Sequence, residues 1–586
     1  MALANCQLAD NSIQGSIKSS PSGTPVAPPS SLSYSSVPTV IYAGDSFLLA
    51  APSLDGVADS FSISPSLPPG LLFNTQTGAI TGTPSEPIAE TTYTITASNS
   101  AGSTETQIQI GVGQKFSINA NGDGSDYNLG DNNCDNGSGA CTLRAAVEEA
   151  NNEPGVPAKI VTATSYSISL SSTLVINSDV LLENPHGIKT VLDASGLERG
   201  VDIISGDVTI DGFTIDGASS GSSLANGVGL KATNSKLHLL NCQISNNSSS
   251  SFLMGTGAYI VTSQEFLMDN CTVTNNSSTN GSSDGAGLFI QSPSGEVANS
   301  IFTNNNSAGG GGAITKHSGY FLVRNSQFSN NQSEYGGGAI KALFGIEIQS
   351  TTFTSNSNNN IQGGGAIYAQ TGDVKIMDSE FQGNTAAGGA NYGAHIYGTG
   401  WSSGSLISGS TFSSGNYYSV YLHSLTSDFT VVNSTFSNNP FHLVINADAA
   451  ASLTTLQNVT FSGATSHSLA VYDSDVEVVN SIFAGASTNN CTISGVSTLV
   501  SLGGNIDDDN SCGFAHGTDL STNPQFDVAG LANNGGSTQT ISLQAGSPAL
   551  DSGLNAYCPT TDQRGLPRPA DGGGGLTCDR GAVEKQ

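Results

Sequence analysis

The chain has 586 residues, of which 11% are charged against ~25% in an average protein, and Asp plus Glu outnumber Lys plus Arg 46 to 16. The net charge of -30 repels phosphate and anionic lipid, which excludes nucleic-acid binding and a polybasic membrane role. Low charge density argues against a solvated disordered chain, and no run of ~18 apolar residues is present to span a bilayer as a helix.

Residues 1–33 are rich in Ser, Pro and Gly and read as a disordered linker. Within them Cys6 follows Leu3-Ala4-Asn5 with no apolar stretch before it, as a removed signal peptide would leave the chain. Leu-Ala-Asn-Cys is similar to a bacterial lipobox, with Asn where Gly or Ala is usual. Cys6 is therefore the lipidation candidate; the alternative is a free thiol on a tail.

Residues 34–113 change to short alternating strands with turn punctuation, the spacing of an Ig-like β-sandwich. Leu67-Pro68-Pro69-Gly70-Leu71, Thr77-Gly78-Ala79-Ile80-Thr81-Gly82-Thr83-Pro84 and the stretch Tyr93–Gly102 resemble the bacterial family named Putative Ig domain. That resemblance implies a spacer on a surface protein.

Residues 114–155 hold the one clear helix pattern. Leu143, Ala146, Val147 and Ala150 form an apolar stripe at i, i+3, i+4 and i+7, Thr142 or Cys141 can cap it, and Glu148 and Glu149 are expected to face water. Cys134, Cys141-Thr142-Leu143-Arg144-Ala145-Ala146 and the residues to Asn151 resemble the Cys-Ser-Leu-Arg-Glu-Ala domain that opens bacterial surface β-helices. Thr142 and Ala145 depart from its Ser and Glu. A stack of coils has an exposed strand edge and an open core at its end, and an amphipathic helix laid there covers both.

Residues 156–510 carry a repeat. Ten starts, from Asn241-Cys-Gln-Ile and Asn299-Ser-Ile-Phe to Asn480-Ser-Ile-Phe, recur every 22 to 31 residues. Short strands of period two without a helical pattern predict a right-handed parallel β-helix, so the chain is expected to be all-β. Ser and Phe two apart point the same way, so Phe302, Phe328, Phe353, Phe381, Phe412, Phe436, Phe461 and Phe483 are expected to stack inside. Cys242 and Cys271 hold the Ser place and are read as buried thiols; the repeated Asn residues are read as turn formers. Gly-Gly-Gly-Ala-Ile at 310, 336 and 363, with Phe-x-Asn-Asn at 302, 328 and 436, looks like the repeats of chlamydial polymorphic outer membrane proteins. Those are β-helical adhesins on an autotransporter barrel, and no such barrel pattern is visible here.

Residues 511–586 are expected to form a C-terminal capping module. Asp562-Gln563-Arg564-Gly565 and Cys578-Asp579-Arg580-Gly581-Ala582-Val583-Glu584, with the run Gly503–Cys512, look like the choice-of-anchor Q domain of surface β-helices.

The nine cysteines place the chain outside the cytosol, and proximity pairs Cys134 with Cys141, Cys491 with Cys512 and Cys558 with Cys578. No cofactor is expected, with calcium the one exception: Asp123, Asp126 and Asp131 crowd one Asn- and Gly-rich loop, and Asp507 and Asp509 another, although turn chemistry explains both. Catalytic signatures are lacking. Were the chain a polysaccharide lyase, Arg324 is the best base, with Lys316 and Lys341 one coil to either side. The reading is a monomeric, extracellular protein of the bacterial cell surface or outer membrane, touching the membrane only through a lipid anchor. It is expected to act as an adhesin for a glycan, host-matrix or cell-surface ligand. The alternatives are a polysaccharide-active enzyme and a passive spacer.

Overall fold

The computed structural model describes residues 26–221, 226–360, 363–387, 392–447, 452–570 and 576–586; Cys6 lies outside them. Two compact units divide at Gly113 and Gln114. In the first, the hairpin of Ile88–Asn99 and the following strand from Gly102 pairs with Ser60–Ser64 on one side and Val40–Tyr42 on the other. A second sheet joins Phe47–Leu49, Ile80–Gly82 and Leu71–Phe73. Their inward residues Ile80, Ile95, Ile108, Ile110 and Val112 make a core separate from that of the second unit. This is the Ig-like module.

The second unit is a parallel β-helix. One coil runs Leu230–Thr233, Ser235–Leu240, Gln243–Ser245 and Ser248–Ser249. Asn234, Asn241 and Asn246 make its bends with φ of 51°, 51° and 55°, a region that Asn tolerates better than other side-chain-bearing residues. The strands that carry Phe form one parallel sheet of 14, from Ser167–Ser169 to Ile506–Asp507. All eight predicted phenylalanines lie buried in it, with rings stacked at 4.7 to 5.0 Å. Each stacked pair contributes about 0.5–1.5 kcal/mol beyond the area it buries.

A second internal ladder runs beside the first. Asn247, Asn276, Asn305, Asn331, Asn356 and Asn384 point inward, each donating from its side-chain amide to the next Oδ1 at 2.9 to 3.0 Å. From Asn276 onward the other amide hydrogen goes to a carbonyl of the preceding coil, as from Asn331 to Phe302 at 2.9 Å. The amides are thus satisfied without water, the condition for burying them. In Phe-x-Asn-Asn only the first Asn is a turn former; the second belongs to the core. The coil of Phe412 has Gly415 where the ladder Asn would stand, and His395 fills the gap. Its Nδ1 faces the Asn384 amide at 3.1 Å and its Nε2 faces Asn439 Oδ1 at 3.3 Å, the pattern of a neutral ring protonated on Nε2. Burial lowers its pKa to about 4. The Ser places make a third ladder, in which each hydroxyl accepts the backbone N–H of the coil before it; Cys271 Sγ accepts from Cys242 N in the same way, and both thiols stay free and buried.

The Gly-Gly-Gly-Ala-Ile repeats mark a corner where coils touch backbone to backbone. A Cβ on Gly338 would stand 2.1 Å from the carbonyl oxygen of Gly365, so no side chain fits there.

The first end of the solenoid is closed by the helix Leu143–Asn152, capped by Thr142, whose hydroxyl accepts from Ala145 N at 3.1 Å. Leu143, Ala146, Val147 and Ala150 join the main core. Arg144 explains the motif around it. It is buried, pairs with Asp123 at 2.8 Å and donates to the carbonyl of Ser172 at 2.7 Å, which ties the helix to the first coil. Glu149 does not face water as expected: it is buried, because its carboxylate accepts the N–H groups of Gly130 and Asn132. Glu148 holds the N–H of Asp126 in the same loop.

At the other end a loop tied by the Cys491–Cys512 disulfide sets Phe514 against Phe483, the last rung of the ring ladder. The chain just beyond it pairs with the last strand, Leu520 beside Ile506, with the Asp507 N–H donating to Leu520 O at 3.0 Å. From there it runs back along the flank, over the outer face of the phenylalanine sheet. Thr435 donates to Gln563 Oε1 at 2.6 Å, Thr460 accepts from Ala582 N at 2.9 Å and Thr538 donates to Gly409 O at 2.9 Å. Its two signature motifs bind each other, Glu584 N donating to Asp562 Oδ2 at 2.9 Å; beside that contact Arg568 and Glu584 form a wholly buried ion pair at 3.1 Å, and Asp562 pairs with Arg564 at 2.8 Å. Cys558–Cys578 and Cys134–Cys141 complete the disulfides.

Two outcomes follow from the ladders. Phe381→Ala leaves a hole between two stacked rings and should cost about 3–5 kcal/mol in urea unfolding, with Phe381→Leu well below that. The His395 pKa is depressed on folding, so its neutral form supports the fold fully above the unfolded value of ~6.5 and that support is lost as pH falls toward 4. Stability measured across this window should therefore decline more steeply in the wild type than in His395→Gln, which keeps an amide in the ladder.

Candidate binding cleft on the β-helix

The three cations expected to share a face do not meet. Lys316 and Arg324 belong to one strand, Ile314–Arg324, and Lys341 pairs across with Thr315. Lys316 points into the coil, is 0% exposed, and donates to the carbonyls of Phe344 and Gly345 at 3.1 and 2.7 Å. Burial lowers its pKa to about 8. Ile314 and Lys316 stand two apart, so strand alternation already places both inside. Lys341 lies along the glycine corner and pairs with Asp284 at 2.9 Å; Arg324 pairs with Glu296 at 2.6 Å. Each therefore has a structural partner, and together they form no base with flanking charges.

Of the acidic candidates only Asp123 leaves its group; Asp507 and Asp509, with Asp508, keep carboxylate oxygens within 4.8 Å of one another. Asp123 is spent on Arg144 and on the N–H of Ser171. Asp507 accepts from the Asn490 amide at 2.8 Å and Cys512 N at 2.7 Å, and burial pushes its pKa up to about 6. Asp509 accepts Asn490 N and Ser511 N. These two fasten the loop that closes the solenoid. Asp126 and Asp131 stand together with Glu149, which sequence reading had placed in water.

A cleft of about 360 Å³ opens on the outer face of three successive coils, lined by Gly319, Tyr320, Gly345, Ile346, Glu347, Asp373 and Lys375. Parallel pairing builds it, because Glu347 and Lys375 are direct partners on neighbouring coils. A Cβ on Gly345 would come within 2.4 Å of the Asp373 carbonyl oxygen, so the floor can only be bare backbone. The Tyr320 side chain is 56% exposed and its hydroxyl donates to Glu347 Oε2 at 3.2 Å. Its pKa is raised by burial and by the Glu347 charge. The other Glu347 oxygen accepts from Gln349 Nε2 at 2.5 Å, and Asp373 accepts from the Ser402 hydroxyl. Lys375 has no ion-pair partner among the described residues. The cleft thus offers an aromatic face, two carboxylates and a free ammonium. These groups come from separate coils, so no motif within one coil unites them. The register of Glu347 on Lys375 was the missing signal.

Residues 13–113 match the family model described as Putative Ig domain, and residues 205–401 match that described as right handed beta helix region. No curated protein matches. Among solved structures the chain is similar to the catalytic domain of a GH87 alpha-1,3-glucanase in complex with tetrasaccharides, at 11% identity and a TM-score of 0.27, over 78% of this chain and 86% of that one. The chain is all-β, an Ig-like module followed by a right-handed parallel β-helix.

Proposed function

We propose that this is an extracellular bacterial surface protein that binds glycan in the cleft over Tyr320. The observation that carries the reading is the exposed Tyr320 ring flanked by Glu347, Asp373 and Lys375. A pyranose presents C–H groups to an aromatic face and hydroxyls to charged acceptors and donors, which is the set found here. A neutral glycan suits it better than a polyuronate, because a chain of net charge -30 with two carboxylates in the cleft repels a polyanion. Three disulfides support an oxidising compartment. The resemblance of the repeats to adhesins, and of both terminal motifs to surface β-helices, supports display on a cell, with Cys6 as lipid anchor.

A second reading has one specific observation in its favour: Glu347 and Asp373 are two carboxylates lining one cleft, the groups a glycoside hydrolase uses. Both Glu347 oxygens accept a hydrogen bond, from the Tyr320 hydroxyl and the Gln349 amide, which holds that carboxylate in place beside the ring.

A glycan and matrix binding array, run beside a polysaccharide-degradation screen, separates the readings. Wild-type protein should retain neutral glycans, and Tyr320→Ala should weaken them about tenfold or more, equal to ~1.4 kcal/mol. Arg324→Ala should bind as the wild type does. Retention of no glycan, or an unaffected Tyr320→Ala, would sink the binding reading. Oligosaccharide release that disappears in Glu347→Gln would establish hydrolysis instead, and unsaturated products lost in Arg324→Ala would restore the lyase.

A further inference from the structure

Lys316 is out of place in its column. Parallel register sets it between Ile290 and Ala342, with Ile260 and Ala369 beyond them, all buried and apolar. An ammonium is costly in such surroundings, and an apolar side chain of similar length would fill the same space. Among the described residues its partners are two carbonyls and no carboxylate. Those carbonyls, Phe344 O at 3.1 Å and Gly345 O at 2.7 Å, are consecutive in the bend that joins Ile340–Ala342 to Ile346–Gln349 on the next coil. Backbone bonds fix the bend at both edges, Leu343 N donating to Lys316 O at 3.0 Å and Ile346 N to Asp373 O at 3.0 Å. Between these edges lies Gly345, which has no side chain to anchor it and which lines the cleft with Tyr320. Lys316 and Tyr320 belong to one strand, so the ammonium ties the strand that carries the ring to the bare backbone beside it.

We infer that Lys316 is a positioning residue of the cleft: from inside the coil its ammonium holds the Phe344–Gly345 bend where glycan binding requires it. This rests on the glycan reading above, but Lys316 itself is 0% exposed and meets no ligand. A charged donor bonds a carbonyl about twice as strongly as a neutral one, so the hold weakens when the ammonium loses its proton. Burial brings that event down to about pH 8, which makes the cleft sensitive to mild alkali. The residues facing Lys316 across the register, Ile290 and Ala342, do not titrate. On the surrounding strands Lys341, Glu347 and Lys375 alternate with inward residues and lie on the outer face. Asp373 is bonded to Ser402, and His317 packs against Phe289. The Tyr320 hydroxyl, its pKa raised, stays protonated through this range.

The test compares the full chain with Lys316→Met in three measurements between about pH 7 and pH 9, a range below the ordinary Lys and Tyr values. These are affinity for neutral oligosaccharides of glucose, galactose and mannose, hydrogen exchange across residues 343–346, and urea unfolding. Near neutral pH, Lys316→Met should exchange faster at the bend and as the wild type does elsewhere, and should bind about tenfold or more weakly. As pH rises, wild-type affinity should fall about threefold or more while that of Lys316→Met stays flat. Stability should move the other way. The folded pKa lies below the unfolded ~10.4, so the folded state favours the neutral amine, and the wild type should gain stability relative to Lys316→Met as pH rises. A lysine with a merely structural role would not weaken binding while the fold gains. Equal exchange at the bend in both proteins overturns the hold, and so does unchanged affinity in Lys316→Met. A flat wild-type affinity profile overturns the dependence on the ammonium, and this measurement decides if Lys316→Met does not fold. If the wild type binds no oligosaccharide, the glycan reading fails, and exchange at the bend still decides whether Lys316 holds it.

Discussion

Parallel stacking sets every side chain in this solenoid against the residue one coil above it, and most of the structure is a consequence of that constraint. Rings at 4.7 to 5.0 Å are close to the spacing between neighbouring strands, so a Phe ladder stacks its rings face against face. The same spacing lets one buried amide donate to the next. An Asn inside a protein is expensive alone and inexpensive in a column, because each rung satisfies its neighbour. The column therefore tolerates few substitutes, and His395 is accepted at its break because a neutral imidazole offers one acceptor and one donor in line. Insertions that would shift the register are pushed out into loops, which is why repeat length varies while the ladders do not.

A stack of this kind has no intrinsic end, and, apart from Lys316, its buried charged residues belong to the segments that close it or return along its flank. Arg144 with Asp123 fixes the first closure, and Arg568 with Glu584 holds the flank segment together near the last coils. Both pairs are buried, and a buried pair stabilises weakly against an apolar replacement while strongly penalising loss of one partner. Their value here is positional. A sliding helix or a shifted flank would strand a charge, so only one placement of each closure is acceptable. The threonines at the outward place of the late coils follow the same logic. Thr411, Thr435 and Thr460 are buried under the returning chain, whereas Gln327 and Thr352 at the equivalent upstream places are exposed.

The inward residues were legible in the sequence because alternation is a local rule. Ser300 and Phe302 point inward for the reason that any residues two apart in a strand share a face. The second Asn of each Asn-Asn pair was not legible, since a bend between Asn304 and Asn305 breaks the alternation, and Asn is expected at bends anyway. Lys316 stands two from Ile314, so the same rule puts it inside, away from the outer face expected for a catalytic cation. Arg324 is eight further on in the same strand, but the register shifts near Gln291 and Ser294 interrupt the count between them. Glu149 was assigned to water from helix periodicity alone, which sees the apolar stripe and not the loop laid against the other side.

The cleft depends on the same register and could not be read from any one coil. Tyr320, Glu347, Asp373 and Lys375 come from three coils and acquire a common surface only because the strands around Gly319, Gly345 and Gly372 stack in order. Elsewhere on this face charges cancel in pairs, Arg324 on Glu296 and Lys236 on Asp207. An ammonium left unpaired at Lys375 beside two carboxylates is a local exception on a strongly acidic chain. Such groups stay hydrated and available, at little cost to the fold because they lie outside the ladders. A solenoid thus separates its two tasks: identical residues inside hold the register, and the register brings unlike residues together outside, where a ligand can meet them.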